Sequence, residues 1–198
     1  EGEMTMTWCG SCQTALAKHE LEYKTVTDNS IFVKFRIEGT KNEYLVIWTT
    51  TPWTIPFNLG VMAHPEIDYV KAQVDDEVWV VAKDLAQKLI EGTAGKSYTV
   101  IEEMKGKKLE GIRYIHPFED ILGKHYSTLK KKSKKTFSVV MSDEYVTLDY
   151  GSGLVHMAPG CGPEDYEIGH REGIPPFNAV NEGGVFDGTM GQFSGLSA

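Results

Sequence analysis

Residues 31–50 read IFVKFRIEGTKNEYLVIWTT, and every second residue in their first seven is β-branched or aromatic. A period of two built from such residues predicts a β-strand over residues 31–37. Residues 44–50 have the same composition and predict a second strand. The intervening GTKN at 39–42 is typical of a turn, so we expect the two strands to form a hairpin.

The chain beyond this hairpin also consists mainly of short strands separated by turns. Hydrophobic residues take helical spacing at residues 83–90 and 163–172, and the second helix has Pro163 at its start and Gly173 at its end. This mixture favours a β-barrel or a sandwich. We expect an α+β, mainly β, fold: a β-barrel decorated with short helices. Further strands are predicted at residues 59–62, 69–74, 78–81, 98–101, 111–115, 136–141 and 154–157.

The chain has 198 residues, enough to bury one substantial hydrophobic core. We expect residues 1–16, which contain Cys9-x-x-Cys12, to be an irregular leading segment that carries half of a zinc knuckle. Residues 17–198 are expected to form the main domain. The glycine-rich tail from about residue 178 is predicted to be a connector to a larger chain.

Composition and charge limit the classes of function. The chain is 41% hydrophobic and 24% charged, its hydrophobic runs are too short to span a membrane, and its acidic amino terminus does not resemble a secretory signal. We therefore expect a cytoplasmic protein. A net charge of −8 disfavours nonspecific binding to nucleic acid, so any RNA contact must be local. The lysine run at 130–135 is either such a contact or a solvated loop.

The first candidate constellation is IWTTTPWTIP at residues 47–56, followed by Asn58. Pro52 and Pro56 lack backbone N–H groups and restrict their neighbours, so the threonine hydroxyls here cannot all serve a sheet. They are available to a ligand. The alternative is a proline-rich strand exit in which threonine was chosen for its β propensity.

The second constellation is GSGLVHMAPGCGPEDY at residues 151–166, where a hydrophobic strand leads His156 into a Gly/Pro loop before a helix. A strand end, a loop and a helix start form a natural corner for an active site. Glu164 and Asp165 can also be first-turn acids that only stabilise the helix. His156 can equally be a hydrogen-bonded core residue.

These two segments carry a family resemblance. IWTTTPWT with Asn58, and GSGLVHMAPGCGPEDYEIG about a hundred residues later, resemble the two signature segments of the inserted editing (CP1) domain of isoleucyl-tRNA synthetases, a class I aminoacyl-tRNA synthetase family. The leading TWCGSCQTALAKHELEY resembles the segment by which those enzymes enter the insertion, so the likeness covers nearly the whole chain. Cys161 stands where the family usually has histidine, and Ser152 where it has threonine or another small residue.

The resemblance implies a synthetase editing-domain fold and a deacylase that hydrolyses mischarged Val-tRNA(Ile), with valyl-adenylate as a second candidate substrate. Asp165 would hold the α-ammonium group of the amino acid, because a charge-assisted hydrogen bond is needed there. His156 would line the side-chain pocket and exclude the extra methylene of isoleucine. Thr49, Thr50 and Thr51 would surround the ester and the terminal adenosine.

The resemblance gives the remaining site residues a secondary role. Trp48, Trp53, Thr54 and Asn58 are substrate-binding candidates, and the last three of them are expected to shape the loop more than to touch the substrate. Without a nucleophilic triad or a metal motif in the pocket, a positioned water is the expected nucleophile, with help from a ribose hydroxyl as an option.

The implied partners are the 3′ end of tRNA(Ile) carrying valine and the remainder of a synthetase chain, where ATP and isoleucine bind. No cofactor is expected for editing. Cys9 and Cys12 have half the spacing of a structural zinc site, so zinc is expected only if the full-length enzyme supplies a second ligand pair.

Two alternatives stay open at this point. The domain can come from a sibling valyl- or leucyl-tRNA synthetase, although those enzymes tend to read Thr-Thr-Arg-Pro-Glu-Thr where this chain has Thr50-Thr51-Pro52-Trp53-Thr54 after Thr49. It can also be a module that binds the tRNA 3′ end without turnover, and such a module should depend on exposed aromatic residues and the lysine run.

Overall fold

The structure is a computed structural model that describes residues 6–27 and 29–198. Within these residues the fold is dominated by one large mixed sheet, and a two-stranded hairpin lies near the amino terminus. The hairpin strands are β1 (Trp8–Cys9) and β2 (Thr14–Ala15). The large sheet contains β3 (Ile31–Ile37), β4 (Glu43–Thr49), β5 (Gly60–Ala63), β6 (Asp68–Val74), β7 (Glu77–Ala82), β8 (Thr99–Lys105), β9 (Tyr114–Ile115), β10 (Ser138–Met141) and β11 (Leu154–Met157).

Helices decorate this sheet. They are α1 (Lys83–Gln87), extended by a π-helical turn at Lys88–Thr93, α2 (Glu119–Lys132) and α3 (Pro163–Glu172). Short 3-10 helices occupy Lys18–Glu20, Pro52–Phe57, Gly106–Leu109 and Gly191–Phe193. Among the described residues, no helix has the length and hydrophobicity needed to cross a membrane.

The strands curl into a barrel. Hydrogen-bonded pairing runs through β10, β5, β11, β4, β3 and β9 in that order. The ring closes where the β9 segment meets β10: Arg113 forms a bridge with Ser138, and the N–H of Tyr114 donates to the carbonyl of Phe137 at 3.0 Å. The predicted β-barrel with short helices is therefore confirmed.

Strand β4 has a different neighbour at each end, and this arrangement positions the site. Its first half pairs with β7, from Glu43 to Leu45, whereas Trp48 near its end pairs with Val155 of β11. The other edge of β4 is paired with β3 along its length. As a result, the threonine-rich end of β4 lies beside the strand that carries His156.

Both faces of β4 are buried. Leu45 and Ile47 face the barrel core, while Val46 belongs to a second hydrophobic cluster under α1 that also contains Trp79 and Leu89. A strand covered on both faces reads as a nearly continuous hydrophobic run, which explains why residues 44–48 alternate less clearly than residues 31–37.

Helix α2 corrects the sequence interpretation of the lysine run. Lys130 to Lys132 form its last turn rather than a loop, and only Lys134 and Lys135 follow it. Lys130 pairs with Glu119 at 3.0 Å and Lys135 with Glu172 at 2.6 Å. The remaining lysines are exposed, so a local RNA contact stays a prediction.

The two ends of the described chain contact each other. The indole N–H of Trp8 donates to the carbonyl of Glu182 at 2.8 Å. The tail beyond residue 178 is folded against the barrel: Ala179, Phe186 and Met190 belong to the core. It is therefore not an unstructured linker. The boundary at 16/17 and the link to a larger chain stay predictions, and residues 1–5 of the leading segment lie outside the described residues.

Candidate functional site

The end of β4 turns sharply because threonine hydroxyls replace the hydrogen bonds that the sheet no longer provides. The hydroxyl of Thr49 accepts from the N–H of Thr51 at 3.0 Å, and the hydroxyl of Thr54 donates to the carbonyl of Thr51 at 2.8 Å. Pro52 occupies the first position of the 3-10 helix that follows, where its missing N–H costs nothing. The TTTPWT sequence therefore folds as a compact turn bordered by hydroxyl groups.

Strand β11 brings His156 to this turn. Its Nε2 lies 3.1 Å from the hydroxyl of Thr54, and the side chain is 8% exposed. Burial lowers the pKa of His156 to about 4, so the imidazole is neutral at physiological pH. Its Nδ1 is buried and has no hydrogen-bond partner among the described residues.

Helix α3 supplies the carboxylate. Pro163 starts the helix, and Asp165 in its first turn accepts a hydrogen bond from the N–H of Ala158 at 3.0 Å. The pKa of Asp165 is raised to about 6: burial raises it most, the hydrogen bond from Ala158 lowers it, and the charge of Glu164 adds a smaller rise. Asp165 is thus a carboxylate held partly out of water, where pairing with a cation would be favourable.

These groups share a cleft of about 320 Å³, a size in the range typical of small-ligand sites. Five of the predicted site residues line it. They are Trp48, Thr49, Thr50, His156 and Asp165. The structure therefore brings the two signature segments together, although their catalytic roles stay predictions.

The other predicted residues lie around the cleft. Thr51 and Thr54 do not line it, but their hydroxyls contact each other, and those of Thr51 and Thr54 also contact Thr49 and His156, respectively. Asn58 is fully buried, donates to the carbonyl of Gly60 and accepts from the hydroxyl of Tyr114, so the structure gives it a role in the core. Trp53 lines a different cavity of about 830 Å³, bordered by Trp8 and residues near 176–184.

The sequence interpretation missed the loop that forms the outer wall of the cleft. Tyr145, Thr147 and Tyr150 line it, and the ring of Tyr150 lies 5.1 Å from that of Trp48. Tyr150 is 61% exposed. Val146, Leu148 and Tyr150 alternate with polar residues as in a strand, but residues 142–150 form neither a strand nor a helix in the structure. The pattern therefore gave no indication that this loop borders the cleft.

The GSG sequence before β11 contains a position, Gly153, that only glycine can occupy without strain. Its φ of +74° is left-handed, and a Cβ atom here would lie 2.3 Å from Cβ of Ala82. The preceding Ser152 carbonyl accepts from the N–H of Ala82 at 2.8 Å. Glycine is therefore needed for β11 to approach the end of β7 closely enough to place His156.

The side chains that line the cleft are suited to a reaction in which a bound water molecule is the nucleophile. Cys161 borders the other cavity, and burial raises its pKa to about 12, so it remains an inert thiol. Within residues 6–27 and 29–198, no group of three or more His, Cys, Asp or Glu residues is arranged to hold a metal. The cleft offers a carboxylate, hydroxyl groups and a neutral imidazole, which can bind an ammonium group and orient a water beside an ester.

Replacing Asp165 by asparagine should increase stability at neutral pH. Because the pKa of Asp165 is raised on folding, ionisation costs stability above about pH 6, and the cost disappears as the pH falls toward the unfolded value near 4. We expect Asp165→Asn to raise the free energy of unfolding by on the order of 1 kcal/mol at pH 8 and by less at pH 4. Urea unfolding at both pH values measures this, with exposed Glu164→Gln as the control. An equal effect at both pH values would contradict the account.

Comparisons with known proteins agree with this arrangement. The chain is 48% identical to the isoleucine–tRNA ligase of Pyrococcus furiosus over 185 residues, covering 90% of this chain and 17% of that protein. It is 44% identical to the isoleucine–tRNA ligase of Methanocaldococcus jannaschii over 191 residues, covering 90% of this chain and 18% of that protein. The chain thus spans less than a fifth of the length of these relatives. No family model matches it.

Solved structures give the same fold. The crystal structure of GlLeuRS-CP1 superimposes with a TM-score of 0.55 at 18% identity, covering 74% of this chain and 61% of that chain. The Plasmodium knowlesi (P.knowlesi) cytosolic leucyl-tRNA synthetase editing domain gives a TM-score of 0.53 at 12% identity, covering 77% and 67%. At these identities the likeness concerns the fold alone.

Proposed function

The chain belongs to the isoleucine–tRNA ligase family as its editing-domain segment, and from this premise we propose that it hydrolyses the ester of valine mischarged onto tRNA(Ile), with valyl-adenylate as a second substrate. The observation that supports this most is the meeting of Asp165, His156 and Thr49 in one cleft. A deacylase of this kind needs one residue that binds the α-ammonium group of the amino acid and another that contacts its side chain, both close to the ester bond.

The small difference in size between valine and isoleucine explains why a second, hydrolytic site would be needed. One methylene in a hydrophobic pocket is worth about 1–3 kcal/mol, a limit for which isoleucine–tRNA ligases are themselves the standard example. A second, smaller pocket that accepts valine and rejects isoleucine would remove the error. His156 is placed to set the size of that pocket, because its buried side chain lines the cleft.

In this proposal the remaining residues act on the ester. Asp165 holds the α-ammonium group, and the hydroxyls of Thr49, Thr50 and Thr51 hydrogen-bond the carbonyl, the attacking water and the terminal ribose. Trp48, Trp53, Thr54 and Asn58 complete the site by supporting or contacting the bound 3′ end. Water is the proposed nucleophile, because no thiol is among the described residues that line the cleft and the Thr54 hydroxyl beside His156 donates to the carbonyl of Thr51.

The proposed partners are the 3′ end of tRNA(Ile) carrying valine and the rest of the ligase, which would bind ATP and isoleucine and would operate in the cytoplasm. Zinc is proposed only for Cys9 and Cys12 with a second ligand pair from the full-length enzyme. Their geometry fits a metal knuckle: the N–H of Cys12 donates to Sγ of Cys9 at 3.2 Å, and backbone hydrogen bonds lower the pKa of Cys9.

The deciding experiment measures release of valine from valyl-tRNA(Ile) and of isoleucine from isoleucyl-tRNA(Ile). We expect faster release of valine by this chain. Because the chain is a small part of its relatives, the same assay is run with the complete ligase. If neither protein prefers the valyl ester, the proposal is wrong. Binding of a nonhydrolysable valyl-adenosine analogue without turnover would then favour a binding module, and preference for another amino acid would favour a sibling specificity.

The rate should depend on pH through Asp165. The carboxylate must be charged to hold an ammonium group, and its pKa in the free protein is about 6. We therefore expect kcat/KM for valyl-tRNA(Ile) to be highest near pH 7 and to fall roughly tenfold per unit well below pH 6. It should fall again at alkaline pH, because the α-amino group of the substrate, with an ordinary pKa of about 7.7–8.0, loses the proton that Asp165 binds. His156, with a pKa of about 4, does not titrate in that window. In Asp165→Asn this fall of kcat/KM at acidic pH should be absent. A wild-type kcat/KM that is the same at pH 7 and pH 5 would contradict the role given to Asp165.

A further inference from the structure

The second half of α2 carries a concentration of positive charge that the proposed hydrolysis does not use. Residues 124–135 contain six lysines and no acidic residue, in a chain whose net charge is −8. Two of these lysines are paired, Lys130 with Glu119 and Lys135 with Glu172. The other four are exposed and form no ion pair within residues 6–27 and 29–198. We call these four residues, Lys124, Lys131, Lys132 and Lys134, the basic face.

The basic face is a stripe along one side of the helix. Lys131 and Lys132 come seven and eight residues after Lys124, which is about two helical turns, so the three side chains leave α2 in similar directions. At 1.5 Å per residue the stripe is about 12 Å long. Lys134 extends it, because α2 ends at Lys132.

Stabilisation of the helix accounts for only part of this pattern. Lysines in the last turn interact favourably with the helix dipole, and Lys130 to Lys132 occupy that turn. The effect falls off within one turn, and Lys124 lies in the middle of α2, two turns from its end. The mutual repulsion of the lysines also opposes folding. The full stripe therefore needs another explanation.

A groove beside the helix gives the basic face a shape that a ligand can occupy. Lys124 and Lys132 line this groove, whose volume is about 340 Å³. Its hydrophobic part is formed by Leu129 and Phe177, and the ring of Phe177 lies 5.3 Å from that of His125. No acidic residue is among the described residues that line it. The groove is thus suited to an anion.

The groove adjoins the candidate site. The ring of Phe177 packs edge-on against that of Phe57, with centroids 5.4 Å apart, and Phe57 ends the 3-10 helix that begins at Pro52 in the signature turn. The residues on either side of Phe177 line the cavity of about 830 Å³ that Trp53 also borders. The basic face therefore lies on the part of the surface next to the proposed site for the tRNA 3′ end.

We propose that the basic face binds the phosphate backbone of the acceptor end of the tRNA whose 3′ end enters the cleft. This inference rests on the proposed function, because the substrate of the adjacent site is then itself a polyanion. The acidic remainder of the chain repels such a substrate, so attraction must come from a local cluster of lysines. Lysine contacts to phosphate fix the position of a nucleic acid without reading its sequence. The face would thus raise affinity for tRNA and leave the chemical step alone.

Binding of uncharged tRNA(Ile) to this chain tests the contact without any reaction. Fluorescence anisotropy is measured between about 50 mM and 200 mM salt. At the lower salt we expect Lys124→Gln/Lys132→Gln to raise Kd about tenfold, and the slope of log Kd against log salt to fall by about 1.4–1.8, since each phosphate contact contributes about 0.7–0.9. A tRNA for another amino acid should lose affinity to the same extent.

The control is a second pair of exposed lysines. Lys107 and Lys108 lie outside the basic face, in the 3-10 helix Gly106–Leu109, and Lys107→Gln/Lys108→Gln removes the same charge. This variant should keep the wild-type Kd and slope. Equal losses in the two double variants would show a general effect of charge and overturn the inference. So would undetectable binding by the wild-type chain at about 50 mM salt. Tighter binding of polyglutamate than of tRNA would identify an acidic protein segment as the occupant and overturn the assignment to RNA.

The same variants separate binding from chemistry in the hydrolysis of valyl-tRNA(Ile). We expect Lys124→Gln/Lys132→Gln to raise KM about tenfold and to change kcat less than about twofold, because the lysines contact the tRNA away from the ester. Thermal unfolding identifies any loss of folding. A fall in kcat with unchanged KM would contradict the inference. If the wild-type protein hydrolyses no ester, the proposed function fails, and the measurements with uncharged tRNA still decide whether the basic face binds RNA.

Discussion

Asp165→Ala should lower kcat/KM for hydrolysis of valyl-tRNA(Ile) by about 30- to 1000-fold, equivalent to about 2–4 kcal/mol. The variant removes the only carboxylate that lines the cleft in the described part of the chain and leaves the α-ammonium group of the bound amino acid without a charged partner. Because the pairing takes place in a partly buried site, water replaces the lost interaction poorly. Single-turnover deacylation over a range of protein concentrations measures the effect.

Glu164 provides a matched control for this prediction. It lies in the same first turn of α3 and carries the same charge, but it is exposed and does not line the cleft. Glu164→Ala should therefore change kcat/KM less than about threefold. Equal losses in the two variants would mean that helix charge rather than ammonium binding supports the activity.

His156→Ala should weaken discrimination against isoleucine by about 10-fold or more, measured as the ratio of kcat/KM values for valyl- and isoleucyl-tRNA(Ile). The imidazole is one wall of the cleft, and its removal makes room for the additional methylene. The variant would thus hydrolyse correctly charged tRNA at a rate closer to that of mischarged tRNA.

His156→Phe separates the size of the ring from its nitrogen atoms. A phenyl ring keeps the bulk but cannot form the 3.1 Å contact with the Thr54 hydroxyl, so we expect discrimination to be retained while the less firmly positioned ring lowers the rate for both esters. His170→Ala on the exposed surface of α3 should change neither quantity. If His156→Ala keeps the wild-type ratio, another residue sets the size of the pocket.

The elements that were predicted well have strong local signals. Period-two alternation identified β3, and Pro163 and Gly173 identified the ends of α3. Helix α2 was missed although Leu122, Tyr126 and Leu129 lie at helical spacing behind acidic residues in the first turn. The lysines in its last turn are a pattern that also fits a solvated loop.

The candidate site also contains parts that local sequence predicts and parts that it does not. The two signature segments contain most of the residues that line the cleft, and each folds through local chemistry: threonine hydroxyls close one turn, and a helix start presents the carboxylate of Asp165. Local sequence indicates neither that the loop carrying Tyr150 borders the cleft nor which cavity Trp53 lines. They depend on packing against distant parts of the chain.

By itself, the sequence determined which segments are strands, where the chain turns, and which residue types are present to bind an ammonium group and an ester, because these properties depend on backbone preferences and side-chain chemistry within a few residues. Only the tertiary structure decided that β4 changes partner from β7 to β11 and that Thr54 contacts His156 across 102 residues of chain. The physical reason is that strand pairing and buried hydrogen bonds are chosen by the whole core, which must fill its volume and pair its polar groups at once.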